Sequence, residues 1–559
     1  MDDLEKIVYK YGLLNAKKHN GKANPGAVIG SIMSTNSELR SKAKEISQIA
    51  NSIVKNINEM SVEDQETEIA NLGIKITEKK KKVEGGLADL NNGGENVVMR
   101  FAPNPSGPLH IGHTRAVVPN NEYVKRYNGR LILRIEDTDP KRIYEPAYKM
   151  IEEDLKWLKV EVNEIFYQSD RFPIYYEYAE KLIKLSKAYV CKCSGEEFKK
   201  LKDESKSCPC RNSSVEENIK LWKEFPDMEV GQAVLRVKTD LNHKNPAIRD
   251  WVAMRLVDET HPRIGNKYRV YPMMNFSVAI DDHLMGITNV LRGKDHLTNS
   301  EKQKYLYKHL NWEIPEFIHY GRLKMEDIPL STSKALEGIE DGTYTGWDDP
   351  RLGTLRAIGR RGIQPKAIYD LMIEIGIKIS DSTVSWKKIY GLNRKILEKV
   401  ANRYFFVLNP VKIKIEGNED FSQSNSLKIK RPLHPDFLKR GDRELSFNGE
   451  VYISKEDFKD GLIRLMDTVN ITISNGQITY HSSSFEQSKE DKAKIIQWVP
   501  VNENINVEVV MSDNSVVNGL CEYMVRNLNV GDIVQFERFG FARLDKKEKD
   551  KLTFYFAHK

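Results

Sequence analysis

The sequence lacks any long apolar run. No stretch of its 559 residues approaches the ~20 consecutive apolar residues that a membrane-spanning helix needs. The first six residues are mostly charged and do not contain the apolar core of a secretory signal. With 40% hydrophobic and 30% charged residues, the composition is that of a water-soluble chain. We therefore expect a cytoplasmic protein that does not enter a membrane.

A large excess of one charge is also missing. The formal net charge of +7 is small for a chain of this length, which indicates a local basic face for nucleic acid more than a wholly basic protein. The length itself predicts several domains and more than one hydrophobic core.

Cysteine is scarce, but four of the five cysteines form two close pairs. The pairs are Cys191-Lys-Cys193 and Cys208-Pro-Cys210. In a reducing compartment, two such pairs favour tetrahedral coordination of zinc by four thiolates, in a closed and structural site. Free thiols or adventitious disulfides are the alternative, and C-x-C spacing is less typical of zinc sites than C-x-x-C. Cys521 stands alone and is predicted to be a small buried residue.

The two ends of the chain differ in pattern. In residues 1–96, apolar residues recur at helical spacing, as at Ile46, Ile49, Ile53 and Ile57, and the stretches 79–82 and 85–94 predict a flexible linker. The turn at 20–30 is either an RNA-backbone contact or a plain connection between helices. From about residue 406 onward, short β-rich runs separated by turns predict a sandwich or barrel.

The stretch from residue 97 to 115 carries the clearest chemical signal. An apolar β-rich run ends in Pro103, Pro105 and Pro108, and a helix is predicted to begin near His110. The free N–H groups and positive dipole end of such a helix attract phosphate. His110 and His113 are three residues apart and share one side of the first turn. Phosphate binding and a purely structural role for these histidines are about equally supported by spacing alone.

This stretch resembles the class I aminoacyl-tRNA synthetases. Residues His110-Ile-Gly-His113 match the HIGH signature of that family letter for letter, and residues 103–113 fit its glutamyl branch. Further stretches that resemble the same branch follow in order through residue 405: Leu133-Arg-Ile-Glu-Asp-Thr-Asp-Pro140, Asp281-Asp-His-Leu-Met-Gly-Ile-Thr-Asn-Val-Leu-Arg-Gly-Lys-Asp-His296, and Gly346-Trp-Asp-Asp-Pro-Arg-Leu352. Residues 431–436 and 439–443 resemble the β-barrel region found in the archaeal and eukaryotic forms of the branch.

The resemblance implies a multidomain α/β fold built around a Rossmann-like catalytic domain. The expected domains are an N-terminal helical domain with its linker at 1–96, the first catalytic half at 97–190, an acceptor-end-binding insertion with the zinc site at 191–270, the second catalytic half at 271–335, a helical stem-contact region at 336–405, and an all-β barrel that binds the anticodon at 406–559. Related enzymes carry a comparable zinc-binding insertion. Arg356, Arg360 and Arg361 are expected to form an RNA-facing cluster in the helical region.

The resemblance also implies a two-step reaction. L-glutamate attacks ATP, which is accompanied by Mg²⁺, and the resulting glutamyl-adenylate is transferred to tRNA-Glu; tRNA-Gln is left open as a second acceptor, and a monomer is expected. His110, Gly112 and His113 are expected to bind the ATP phosphates. Lys334 is the expected mobile cation, with Lys324 as a helper. Residues 331–335 depart from the family consensus, because Ser331 stands where a first lysine is usual.

An amino-acid pocket needs a cation for the side-chain carboxylate and an anion for the α-ammonium group. Arg100 and Glu136 are the candidates, because each lies at the carboxyl end of a predicted parallel strand. Open α/β sheets bind ligands at the carboxyl ends of their strands. An ordinary strand-end ion pair is the structural alternative. By resemblance Ala102, Asn104 and Arg292 also line the pocket, whereas Met274 stands where relatives often carry tyrosine, with Tyr271 and Phe276 nearby.

Two other functions compete with glutamate attachment to tRNA. One is the glutaminyl member of the same branch, which residues 102–104 and 134–137 disfavour because they look more glutamyl. The other is a catalytically inactive RNA-binding relative, prompted by the single lysine in residues 331–335. Arg249 and Trp251, in the insertion, are candidate RNA contacts, although Trp251 is expected to be a core residue.

Overall fold

The computed structural model describes residues 3–35, 39, 42–72, 86–94, 96–328, 330–417 and 426–559. The chain divides into two compact units, Met1–Glu84 and Gly85–Lys559. None of the helices in these described ranges combines the length and apolar character of a membrane span. The predicted linker stretch at 79–82 lies outside the described residues. For residues 86–94 the prediction of a flexible linker is wrong, because Leu87 and Leu90 are at most 5% exposed and pack in a core of the second unit.

The first unit is helical in its described part. Its helices are α1 (Asp3–Lys18), α2 (Pro25–Thr35), α3 (Ala43–Glu59) and α4 (Val62–Asn71). They bury Val8, Val28 and Val54 in one core. Asn58 fixes the connection between α1 and α2, because its side chain accepts a bond from the N–H of Ala23 at 2.6 Å and donates one to the Ala23 carbonyl at 3.0 Å. Residues 25–30 of the predicted turn are thus helical, and the part before them connects α1 to α2 and is anchored to α3.

The second unit begins with a parallel sheet. Its first strands, in the spatial order β1-β2-β3, are separated along the chain by helices. The elements are β1 (Val98–Phe101), α5 (Thr114–Arg126), β2 (Arg130–Ile135), α6 (Ala147–Trp157), β3 (Glu164–Tyr167) and α7 (Phe172–Lys184). All four residues of β1 are buried, as expected for a strand covered on both faces. Gly129 lies at the start of β2, so close to Val97 that a Cβ there would stand 2.1 Å from the Val97 carbonyl oxygen.

An antiparallel sheet with helices is inserted next. It contains β4 (Ala188–Cys191), α8 (Gly195–Asp203), α9 (Val215–Glu224), β5 (Val234–Val237), β6 (Val252–Leu256) and β7 (Val270–Pro272). Helices α8 and α9 each begin with a capping box, in which Ser194 pairs with Glu197 and Ser214 with Glu217. Trp251 is 5% exposed and packs in the core of this sheet, which confirms the expectation for it.

The parallel sheet then continues. Thr288 N–H donates to the Val98 carbonyl at 3.0 Å, which brings the next strand beside β1. The elements are α10 (Met274–Leu284), β8 (Asn289–Gly293), α11 (Leu297–Leu310), β9 (Glu316–Tyr320), β10 (Leu323–Met325), α12 (Thr332–Glu340), α13 (Leu355–Arg360), α14 (Pro365–Ile375), β11 (Ser382–Val384) and α15 (Trp386–Leu397). Strands β8 and β9 are parallel, as are β10 and β11. This split parallel sheet, with one domain inserted, is the catalytic architecture that the sequence predicts.

The C-terminal region is almost entirely β-structure, which confirms the all-β expectation. Its elements are β12 (Asn402–Tyr404), β13 (Phe406–Leu408), β14 (Pro410–Lys414), β15 (Leu427–Pro432), β16 (Asp442–Phe447), β17 (Glu450–Ser454), β18 (Gly461–Leu465), β19 (Asn470–Ser474), β20 (Gln477–Ser482), α16 (Phe485–Glu490), β21 (Lys494–Ile496), β22 (Val499–Pro500), β23 (Asn504–Val510), β24 (Val516–Glu522), β25 (Ile533–Phe536), β26 (Gly540–Lys547) and β27 (Lys551–His558). The largest sheet has seven strands in the order β12-β25-β26-β27-β23-β24-β13. The C-terminal region has two main cores, and Trp498 is fully buried in one and Cys521 in the other. The expectation that Cys521 is a small buried residue is therefore confirmed.

The three arginines expected to face RNA each bond to another part of the protein, and one of them, Arg361, is buried. Arg360 Nη2 lies 2.8 Å from Asp545 of β26, and Arg356 Nη2 lies 2.5 Å from Glu153 of α6. Arg361 is 2% exposed and donates to the Ala557 carbonyl at 3.1 Å. Sequence could not show this, because the partners are far away along the chain. The cluster fastens α13 to the catalytic sheet on one side and to the β region on the other.

Replacing Gly129 by alanine should destabilise the second unit. The added Cβ would collide with the Val97 carbonyl at 2.1 Å and force β1 and β2 apart, at a cost of about 1–3 kcal/mol in the free energy of unfolding. The matched control is Gly391→Ala in α15, where nothing lies within 4 Å of the added atom and helix propensity favours alanine by up to ~1 kcal/mol. Urea titration of both variants should show midpoint shifts of opposite sign; equal shifts would contradict the account of Gly129.

Candidate active site

A pocket of about 480 Å³ opens at the carboxyl ends of the central parallel strands. Strand β1 ends beside it, Glu136 directly follows β2, and Arg292 lies in β8. The predicted site residues that line the pocket are Arg100, Ala102, Asn104, His110, Gly112, His113, Glu136 and Arg292. The fold therefore brings together the whole predicted amino-acid pocket and the histidine turn.

The histidine turn is a short 3₁₀ turn, Ile111–His113, followed at once by α5. His113 Nδ1 accepts a bond from the N–H of His110 at 3.0 Å, and His110 Nδ1 accepts one from the N–H of Gly112, also at 3.0 Å. The two rings stack, with centroids 3.8 Å apart. A Cβ on Gly112 would stand 2.7 Å from the His110 ring, so a larger residue there would displace that ring.

Both imidazoles are neutral in this setting. Burial lowers the pKa of His110 to about 4, and burial together with the neighbouring His110 lowers the pKa of His113 well below its usual value. In a neutral ring whose Nδ1 accepts a bond, the proton resides on Nε2. Each ring can thus offer an Nε2–H donor, and such donors suit phosphate oxygens at the N-terminus of α5.

A buried carboxylate organises the arginines of the pocket. Asp282 Oδ1 lies 3.1 Å from Arg100 Nε and 2.7 Å from Arg134 Nη1, and Arg134 Nη2 lies 3.1 Å from Glu136. Burial of Asp282 opposes its ionisation, but the charges of Arg100 and Arg134 outweigh burial and lower the pKa of this carboxyl. For Glu136 burial prevails, and its pKa is raised. Arg100 is therefore both a pocket residue and a member of a structural ion pair.

Unlike Arg100 and Arg134, Arg292 has no carboxylate partner among the described residues. Its Nη1 donates to Gln303 at 2.9 Å and to Ser300 at 3.3 Å, and no described carboxylate oxygen lies within 4.0 Å. Burial, together with the charge of Arg100, lowers its pKa to about 10, so it remains charged at neutral pH. A buried guanidinium with neutral partners favours an incoming carboxylate.

The two predicted lysines do not line the pocket. Lys334 is exposed in the first turn of α12, where its N–H donates to the Ser331 hydroxyl at 3.4 Å. Lys324 is also exposed, and its Nζ lies 3.7 Å from Asp381. The start of α12 is nevertheless near the histidine turn, because the Thr332 hydroxyl lies 3.3 Å from that of Ser106.

Met274 is the first residue of α10 and lines the pocket, as expected for the position at which relatives often carry a tyrosine. Tyr271 and Phe276 are at most 1% exposed and belong to the core of the inserted domain. Neither of them lines the pocket, so their positions do not support either as a substitute for the tyrosine that relatives often carry at residue 274.

The four paired cysteines converge in the inserted domain. The sulfurs of Cys191, Cys193, Cys208 and Cys210 all lie within 4.8 Å of one another, and none is in a disulfide. A Zn–S distance of ~2.3 Å in a tetrahedron places the sulfurs about 3.8 Å apart. The separations of 3.9 Å for Cys191–Cys208 and 3.8 Å for Cys193–Cys210 fit that requirement.

Several residues of the site were not found from the sequence. Arg134 and Asp282 both stand inside stretches that resemble the family, yet nothing local indicates that they pair across 148 residues. Asp154 accepts a bond from the backbone N–H of Leu109, immediately before the histidine turn. Its only signal is a carboxylate on an otherwise apolar helix face, which sequence alone cannot connect to residue 109.

The fold and this site are those of a class I aminoacyl-tRNA synthetase. Residues 96–399 match the sequence model for "tRNA synthetases class I (E and Q), catalytic domain", and residues 401–486 and 495–545 match the two models for the anticodon-binding domain of the same group. The chain belongs to this family.

Three curated relatives are similar to this chain over its whole length. The chain is 64% identical over 559 residues to the glutamate–tRNA ligase of Methanobrevibacter smithii, with 100% of both chains covered. It is 56% identical to the glutamate–tRNA ligase of Methanothermobacter thermautotrophicus over 559 residues and 49% identical to that of Methanocaldococcus jannaschii over 561 residues, again with 100% of each chain covered.

Replacing Asp282 by asparagine should destabilise the protein. Two buried guanidinium groups would lose their shared carboxylate, and breaking such a buried pair costs about 3–5 kcal/mol in the free energy of unfolding. Asp381→Asn is the control: that carboxylate lies near the surface, where it pairs with the partly exposed Lys294, and its loss should lower the free energy of unfolding far less. Denaturant unfolding checks the difference, and a similar loss in both variants would show that Asp282 is not the organising group.

Proposed function

We propose that this chain is an archaeal-type glutamate–tRNA ligase, which attaches L-glutamate to tRNA-Glu in two ATP-dependent steps. The observation that carries the proposal is full-length identity of up to 64% to glutamate–tRNA ligases, combined with a pocket that holds the histidine turn and the arginine–carboxylate group together. In the first step the glutamate α-carboxylate attacks the α-phosphorus of ATP and releases pyrophosphate. In the second, the terminal ribose hydroxyl of tRNA attacks the acyl carbon and releases AMP.

The histidine turn serves the phosphates. His110 and His113, as neutral donors at the start of α5, offer hydrogen bonds to phosphate oxygens as negative charge develops on them. The accompanying Mg²⁺ supplies positive charge to the ATP phosphates when bound. Lys334, exposed at the start of α12, is the residue that we expect to approach the pyrophosphate, with Lys324 as a second cation.

The arginine–carboxylate group serves the amino acid. Glu136, at the end of β2, is the anion that we assign to the α-ammonium group. Arg292 and Arg100 provide the positive field for the side-chain carboxylate, and Arg292 is the better placed of the two because no described carboxylate pairs with it. Ala102 and Asn104 complete the pocket wall between β1 and the histidine turn.

The proposal also covers the tRNA partners, the oligomeric state and the location of the enzyme. The C-terminal β region matches anticodon-binding domains, which supports its contact with the tRNA anticodon. Charging of tRNA-Gln in addition to tRNA-Glu is the second candidate activity. We further propose that the enzyme acts as a monomer in the cytoplasm.

Aminoacylation of purified tRNA-Glu and tRNA-Gln, with glutamate and with glutamine, tests the function directly. We expect glutamate to be attached to tRNA-Glu; glutamate on tRNA-Gln as well would define a non-discriminating enzyme. Glutamine attachment would instead reassign the chain to the glutaminyl side of the family. Absence of any product from a folded sample would favour an inactive tRNA-binding protein.

Replacing Lys334 by alanine should separate an enzyme from a binding protein. Loss of one cation that stabilises the transition state should slow adenylate formation by about 10²–10³-fold and leave tRNA affinity unchanged. Lys366→Ala is the matched control, since Lys366 is an exposed lysine paired with Asp370 on α14. Pyrophosphate exchange in the presence of tRNA, together with a tRNA binding isotherm, measures both quantities. Equal rates in the two variants would remove Lys334 from the mechanism.

We also propose that Cys191, Cys193, Cys208 and Cys210 hold a structural zinc ion, which when bound links β4 to the 3₁₀ turn Pro209–Asn212. Metal analysis of the purified protein should find one zinc per chain. Cys208→Ser should lose it and increase hydrogen exchange in residues 191–212, because metal binding contributes folding energy. Cys521→Ser, at a buried cysteine far along the sequence, should keep a full complement of zinc. A zinc-free native protein with unchanged exchange would contradict the assignment.

A further inference from the structure

The backbone that leads into the histidine turn is held by a buried carboxylate. Asp154, on α6, is 3% exposed, and its Oδ2 accepts a bond from the N–H of Leu109 at 2.8 Å. Leu109 directly precedes His110, so this bond fixes the peptide from which the first imidazole projects. A charged acceptor of this kind forms a stronger bond than a neutral one.

The other oxygen of the same carboxylate faces an arginine. Asp154 Oδ1 lies 3.3 Å from Arg356 Nε, and Arg356 Nη2 lies 2.5 Å from Glu153 on the same helix as Asp154. These groups line a separate cavity of about 650 Å³, which shares no lining residue with the pocket that contains the histidines. Arg356 is the cation that compensates Asp154, which could not otherwise stay charged at this depth.

The backbone next to Arg356 forms further hydrogen bonds to the histidine turn and to the residue before it. The N–H of Ile111 donates to the Gly353 carbonyl at 3.0 Å, and the N–H of Leu355 donates to the Leu109 carbonyl at 2.8 Å. Residue 111 is thus bonded to residue 353, and the carbonyl of Leu109 is bonded to residue 355. The backbone N–H of Leu109 donates to Asp154. The position of His110 depends on these three bonds together.

We propose that Asp154 is a positioning residue for adenylate formation: its carboxylate, compensated by Arg356, holds Leu109 so that His110 and His113 present their Nε2–H groups to the ATP phosphates. The proposal rests on the roles assigned to the two histidines under the proposed function. Asp154 itself touches no substrate, since it lines the separate cavity.

The surroundings of Asp154 make its charge sensitive to pH. Burial raises its pKa to about 7, against the opposing effects of Arg356 and the bond from Leu109, and Glu153 raises it further. The other charged groups around this cavity are Asp348, Arg360, Arg543 and Asp545, and His110 follows on the turn. A protonated carboxyl is a weaker acceptor, so the hold on Leu109 should weaken as the pH falls through 7.

Single-turnover formation of glutamyl-tRNA, at varied ATP and in a second series at varied glutamate, tests the proposal with the full-length protein and tRNA-Glu. In Asp154→Asn, the amide oxygen can still accept from Leu109 but its NH₂ group meets Arg356, and we expect the rate constant to fall roughly tenfold, as for loss of one charge-assisted bond. Asp154→Ala, which has no acceptor, should fall further. The glutamate concentration at half-maximal rate should change less than about twofold, because the amino-acid pocket is intact.

Two controls separate positioning from a merely structural role. Glu153→Gln removes the other carboxylate bound to Arg356 but leaves the bond from Leu109, so its rate should stay within about twofold of wild type. The acid limb near pH 7 that we expect in the wild-type rate profile should vanish in Asp154→Asn, whose side chain does not titrate. Rates are compared per folded molecule, counted by stoichiometric tRNA binding.

The outcomes distinguish this proposal from the function on which it rests. If Asp154→Asn and Asp154→Ala lower the unfolding midpoint but keep the wild-type rate and pH profile per folded molecule, Asp154 is only structural and the proposal is overturned. His113→Ala is measured beside them. If it too leaves the rate unchanged, the assigned roles of the histidines fail instead; if it lowers the rate while the Asp154 variants do not, only the positioning proposal fails.

Discussion

The architecture of the active site depends on one buried carboxylate shared by two arginines. Asp282 on α10 belongs to the second catalytic half, whereas Arg100 and Arg134 lie on β1 and β2 of the first half. In a protein interior, removal of one member of this cluster leaves a buried charge with less compensation, which is strongly destabilising. The two halves are separated along the chain by the whole inserted domain, so the pocket exists only when this cluster has formed. The same cluster orients Glu136 through Arg134 and places Arg100 at the pocket wall.

The division of charge within the pocket follows from this arrangement. Arg100 is already balanced by Asp282, and the histidines are neutral because burial lowers their pKa values. Arg292, with neutral hydrogen-bond partners, retains a net positive field in the pocket. Beside it the histidine turn offers hydrogen-bond donors and a helix dipole. Arg115, in the first turn of α5, is a second cation that lines the pocket without a described carboxylate partner.

Local features of the site could be predicted from sequence, and long-range pairings could not. The Pro-rich turn, the glycine at 112 and the two histidines express constraints that act over a few residues, and the structure brings them together in the pocket. The strand ends at Arg100 and Glu136 followed from β-rich patterns. The bond from Leu109 to Asp154 joins residues 45 apart, and no periodicity specifies which distant carboxylate meets a given N–H group. The resemblance to a family supplied Arg292, although its neutral partners Gln303 and Ser300 became visible only in three dimensions.

The internal use of Arg360 and Arg361 has a practical consequence for mapping how this protein contacts RNA. Both arginines join α13 to strands β26 and β27, through Asp545 and the Ala557 carbonyl. An alanine scan that removes surface charge would therefore loosen the joint between the helical and β regions at these positions. Weaker RNA binding in such variants would then reflect misaligned domains. That result alone would not identify these two side chains as RNA contacts.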